Sequence, residues 1–64
     1  MKVTLFIVTK ADAILALIDL QKQYIANGIK IINHDTYSFT AKEGDIITKV
    51  FWDGGFIEAE LNID

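Results

Sequence analysis

The chain has 64 residues and a formal charge of −3, from nine acids against six lysines with no arginine. It is long enough for a single domain, residues 1–64, that buries only about 60% of its unfolded surface; lacking cysteine and holding one histidine, it has neither disulfides nor thiolate zinc sites to stabilise it. The acidic balance and the missing arginine, the residue best shaped to grip phosphate and guanine, argue against direct nucleic-acid binding, and no stretch approaches the roughly 18 apolar residues of a membrane span.

The opening run Lys2 to Val8 is rich in β-branched and aromatic residues and too short for an ordinary helix, so it is read as the first strand. It ends at Thr9-Lys10 without a small-residue cleavage site, which argues against a signal peptide and for a soluble, cytoplasmic chain. Strict alternation puts Val3, Leu5 and Ile7 on one face and Phe6 and Val8 on the other. A strand apolar on both sides is the pattern of an interior position.

Thr9 as N-cap and Asp12 in the first turn predict a helix start near Lys10, and Asn27-Gly28 supplies the glycine that a left-handed helix terminus favours. At 100° per residue, Ile14, Leu17, Ile18, Tyr24 and Ile25 form one stripe flanked by Leu15 and Leu20, an arc wider than half the circumference. Gln21 falls within it. Its amide must either reach a free backbone group or a watery gap, or pair across an interface and set register there.

Ile29 to Thr40 reads as one long strand bulged at Asn33-His34-Asp35, the other reading being two strands around a tight turn. Ala41 to Asp45 is the next turn, Ile46 to Trp52 a strand, Asp53-Gly54-Gly55 a hairpin loop, and Phe56 to Ile63 the last strand. That strand alternates cleanly: Ile57, Ala59, Leu61 and Ile63 inward; Phe56, Glu58, Glu60 and Asn62 outward. The fold class is therefore α+β, a two-layer sandwich of one helix on a four-stranded, mostly antiparallel sheet in the order β-α-β-β-β. The first strand joins by a right-handed crossover and runs parallel to the second or fourth strand if it borders either.

One helix covers one face, yet the strands are apolar on both. The uncovered face is expected to show Phe6, Val8, Val50, Trp52 and Phe56, with Ile32 and Ile46 nearby and Glu58 and Glu60 as an acidic rim. These seven residues, Phe6, Val8, Val50, Trp52, Phe56, Glu58 and Glu60, form the expected protein interface. Replacing Trp52 by alanine would then dissociate an oligomer and spare the fold.

Chemistry is sparsely signalled. His34-Asp35 has an acid/base residue beside a carboxylate, but neighbours on a strand point to opposite faces. Glu58 and Glu60, with Asp53 or Glu43, could gather carboxylates for a cation, although alternating charge on a strand usually marks a solvated face. No catalytic residue, metal ligand or cofactor is assigned. The function expected is a small non-enzymatic protein-interaction module, self-associating with a dimer favoured and with a protein as partner, that acts as an inhibitor or regulator by occupying a surface of another macromolecule, in the manner of phage or mobile-element antagonists. The alternatives are a metal-dependent or acid/base binder or enzyme using His34, Asp35, Glu58 and Glu60, and a structural subunit of a larger assembly.

Overall fold

The computed structural model describes residues 1–63. The first strand, β1, spans Lys2–Ile7, and the helix α1 spans Lys10–Ala26. Thr9 takes the extended N-cap conformation, at φ −74° and ψ 165°, but its hydroxyl donates to Asp12 Oδ2 at 3.2 Å instead of capping a backbone N–H. The far end closes as the glycine predicts. Gly28 sits at φ +78°, its N–H donates to the Ile25 carbonyl at 3.0 Å, and the N–H of Ile29 reaches back to the Tyr24 carbonyl at 3.0 Å. This pair of bonds is a Schellman motif, with Tyr24 and Ile29 both packed on the core behind it.

The long stretch after the helix is two strands, and the sheet has five where four were expected. β2 spans Lys30–Asp35 and β3 spans Ser38–Glu43. They are joined by a tight turn at Thr36 and Tyr37, where Asp35 Oδ1 accepts from the Thr36 N–H at 2.9 Å. Tyr37 holds the turn down, since its carbonyl accepts from the Trp52 N–H at 3.0 Å and its ring lies 5.5 Å from the Trp52 ring. A bulge does exist, but it falls at Ile32, between the Ile31–Ala41 and Asn33–Thr40 pairs. β4, Ile46–Trp52, and β5, Phe56–Ile63, complete the meander.

The sheet order is β1-β5-β4-β3-β2, antiparallel at every step. The additional strand reverses the direction count, so β1 borders the last strand antiparallel, not parallel to it. It is also an edge, as β2 is at the opposite margin; all six β1 residues keep substantial exposure. α1 lies across β2, β3 and β4.

The core beneath the helix comprises Ala13, Leu17, Phe39, Ala41, Val50, Ile57 and Ala59. Ala13 is completely buried, and its small side chain lets the start of α1 approach the sheet closely. The inward line of the helix is therefore Ala13, Leu17, Leu20 and Tyr24, rotated from the stripe centred on Leu17 and Ile18. Tyr24 meets Phe39 edge-on at 5.4 Å between ring centroids, a favoured aromatic geometry. Ile57, Ala59 and Leu61 face inward as expected, whereas Ile63 is exposed.

Candidate functional site

Two of the seven predicted interface residues belong to the core side of β4. Val50 is fully buried opposite Phe39 and Ala59, and Trp52 packs on the same cluster opposite Ile57. Both sets on this strand, Ile47 with Phe51 and Val50 with Trp52, are apolar, so hydropathy alone left its parity open. Val8 also packs on the helix-side core, and its carbonyl accepts from Trp52 Nε1 at 3.1 Å. Phe6 follows for a different reason. The β1–β5 register shifts at Leu5, so Thr4 lies opposite Glu58 on the outer face and Phe6 opposite Ile57 on the helix face. Of the five apolar residues assigned outward, only Phe56 is there, beside Ile7 on β1.

The outer face is instead an aromatic centre ringed by balanced charge. Phe51 lies opposite Glu58, with Lys2 Nζ 5.6 Å and Lys49 Nζ 5.9 Å from its ring centroid, within cation–π range. Glu58 is only 9% exposed. Its Oε1 accepts from the Thr4 hydroxyl at 3.3 Å, and its Oε2, without a hydrogen bond of its own, lies 3.4 Å from Lys2 Nζ as an ion pair. Glu60 is exposed and flanked in register by Lys2 and Lys49. Glu58 and Glu60 thus share a face, but lysines answer them on both neighbouring strands and no acidic rim results.

Asp53 works locally. Its Oδ1 accepts from the N–H of Phe56 at 2.8 Å and of Gly55 at 3.1 Å, and the first of these bonds does most to hold its carboxyl below the ordinary value of 3.8. Among the described residues, no three acidic or histidine side chains gather as a cation cage would require.

Further open ground is found on the flank of α1 that overhangs β2. A groove of about 610 Å³ runs there, lined by Ile14, Leu17, Ile18 and Gln21 from the helix and by His34, Asp35 and Thr36 at the end of β2. Gln21 and His34-Asp35, read separately in the sequence, meet at this groove. Register places His34 opposite the core residue Phe39 and Asp35 opposite Ser38, on opposite faces, and Asp35 already serves the Thr36 N–H. The pair is therefore not arranged as a base and its orienting acid.

Ile14, Ile18 and Ile25 are 37%, 43% and 61% exposed, and their spacing sets them on one side of the helix. Sequence reasoning did not assign this ridge to the interface. Its signal was the apolar arc itself, too wide for one sheet contact to consume.

The chain is thus an α+β protein with one helix on a five-stranded antiparallel sheet. No helix among the described residues is long and apolar enough to cross a membrane. Comparison with family models, curated proteins and solved structures finds no match to this chain.

Proposed function

We propose that this chain is a small, non-enzymatic protein-interaction module of the cytoplasm that self-associates, with the dimer as its working form, and acts by occupying a surface of another macromolecule as an inhibitor or regulator. The observation that carries the reading is the apolar ridge Ile14, Ile18 and Ile25, left open beside the unpaired edge of β2. Side chains of this size held out in water favour burial against another surface, at about 25 cal/mol per Å² removed from water. Three of the ionisable groups singled out for chemistry are engaged in building the fold: Asp53 orders its loop, Glu58 pairs with Lys2, and Asp35 closes the β2–β3 turn.

Sedimentation across a concentration series tests the self-association. The expected result is a mass rising from 7.2 kDa to twice that value, and a shift back to monomer for Ile18→Glu with its helical signal intact. A wild-type monomer at every concentration would overturn this reading.

A further inference from the structure

We infer that the partner on the open margin is a second copy of this chain, docked so that β2 pairs antiparallel with β2 of its twin and the two sheets become one of ten strands. The inference rests on the self-association proposed above and adds its surface, symmetry and register.

The strand is complementary to itself. β2 reads Lys30-Ile31-Ile32-Asn33-His34-Asp35, with a cation at one end and an anion at the other. An antiparallel twin centred between Ile32 and Asn33 sets Lys30 opposite Asp35 at both ends, Ile31 opposite His34, and Ile32 opposite Asn33. Opposed residues of paired strands share a face, which in a regular strand forbids this match, because positions five apart point to opposite sides.

The bulge removes that obstacle. With Ile32 as the extra residue, Lys30 lies in register with Lys42 and Asp35 with Ser38, both on the face away from α1. Ile31 and His34, in register with Ala41 and Phe39, both lie on the helix face. Lys30–Asp35 is thereby matched in side as well as charge and Ile31–His34 in side, and the central pair falls at the bulge itself.

The charges also discriminate. A parallel, in-register twin would oppose Lys30 to Lys30 and Asp35 to Asp35, and an antiparallel slip would unpair both ends. An edge lysine and a bulge ordinarily guard a strand against pairing. Here the lysine has an answering aspartate in only one arrangement, so the same features work as a selector.

The other edge does not offer this. β1 carries a single charge, Lys2, which already pairs with Glu58 in its own sheet. An antiparallel β1 twin would set Lys2 opposite Ile7. α1 leans over β2 and not over β1, so only at the β2 margin does a two-fold axis bring helix flanks together. Ile14 and Ile18 of the two copies then close the groove, with Gln21 beside them.

Reciprocal charge exchange tests the register. Lys30→Glu alone sets a new carboxylate against Asp35 of the twin, and Asp35→Lys alone sets a new ammonium against Lys30, twice in each dimer. Each single variant should raise the dimer dissociation constant by about tenfold or more. An equimolar mixture of the two should form a heterodimer near wild-type affinity, because each facing pair then holds opposite charges, and the double variant should recover likewise. Both side chains are exposed, but Asp35→Lys also gives up the bond from the Thr36 N–H, so circular dichroism establishes the fold of each variant first, and Lys30→Glu with the cross-link below carries the test if Asp35→Lys does not fold.

A second measurement uses the absence of native cysteine: Ile31→Cys mixed with His34→Cys, which share the helix face, should cross-link on oxidation, whereas Val3→Cys alone should not. A wild-type dimer whose affinity ignores the single changes, or a mixture that fails to recover, would overturn the β2 pairing and leave self-association standing. A wild-type monomer would overturn both.

Discussion

Trp52 separates a residue that holds the fold together from one that faces a partner. Its indole N–H donates to the Val8 carbonyl at 3.1 Å, its ring lies 5.5 Å from Tyr37, and its backbone N–H ties down the β2–β3 turn. The side chain therefore joins the β1–α1 junction to the middle of the sheet. Trp52→Phe keeps most of the ring and removes one hydrogen bond, at a cost of about 1 kcal/mol. Trp52→Ala also removes the packing of a partly buried ring, about 3 kcal/mol in all, the low end for an aromatic truncation. A domain of this size has about 3–10 kcal/mol in total and loses about 7 °C of melting temperature per kcal/mol. The phenylalanine variant should melt about 7 °C below wild type and the alanine variant about 20 °C below. Because Trp52 is the chain's only tryptophan, the transition is best followed by far-ultraviolet circular dichroism, at one protein concentration so that dimerisation contributes equally. An alanine variant melting within about 3 °C of wild type while its solution mass falls would refute this account, because that is the behaviour of an outward-facing interface residue.

Three further outcomes follow from other parts of the sheet. Gly54 sits at φ +107° with open space around it, so Gly54→Val should cost about 1–2 kcal/mol from backbone conformation alone, while Gly55→Ala should stay within about 0.5 kcal/mol in the same denaturation assay. The Asp53 carboxyl is held below 3.8 chiefly by the Phe56 N–H, then by the Gly55 N–H and Lys2, so the folded state binds fewer protons there than the unfolded chain. Its stabilising contribution is therefore complete above the ordinary value and lost as pH falls through the depressed one, and the Phe56 amide resonance should titrate with a midpoint under 3.8; a midpoint at or above it would contradict the assignment. Lys2→Ala strips the nearby cation from the nearly buried Glu58 carboxylate and should cost about 1 kcal/mol in urea at low salt, with Lys2→Arg largely restoring it.

Local chemistry in the sequence located the helix and the β4–β5 hairpin well. Gly28 and Gly54 at positive φ lie where glycine was expected to mark a turn, and Ile57, Ala59 and Leu61 alternate inward because Glu58 and Glu60 between them leave one consistent side. The β2–β3 turn was harder to read. Thr36-Tyr37 carries no glycine, and what fixes it is the Asp35 carboxylate nearby and Trp52 many positions later. Parity failed on β1 and β4 for separate reasons. A register shift at Leu5 is invisible to alternation, and β4 offers two apolar sides between which only the packing of Val50 against Phe39 and Ala59 decides. The helix arc was read as wider than half the circumference, without the step that one sheet contact could not consume it. Which part remained open depended on Ala13 allowing close approach, a matter of volume and not of hydropathy.

The position of β1 also bears on the order in which the fold assembles. β2 to β5 form a meander whose neighbours are joined by short turns, so each pairing closes a small loop and can form early. β1 has no such neighbour. Among the described strands it pairs with β5 alone, and the Leu61 N–H meets the Met1 carbonyl at 2.7 Å across nearly the whole sequence. The earliest of these five strands in chain order is therefore the last to find its place, and Val3, Leu5, Phe6 and Ile7 wait unpaired until the β4–β5 hairpin exists. Pulse-labelled hydrogen exchange during refolding should show the β1 amides gaining protection after those of β3 and β4, so the interval in which this chain is most prone to aggregate is governed by the time β5 takes to form.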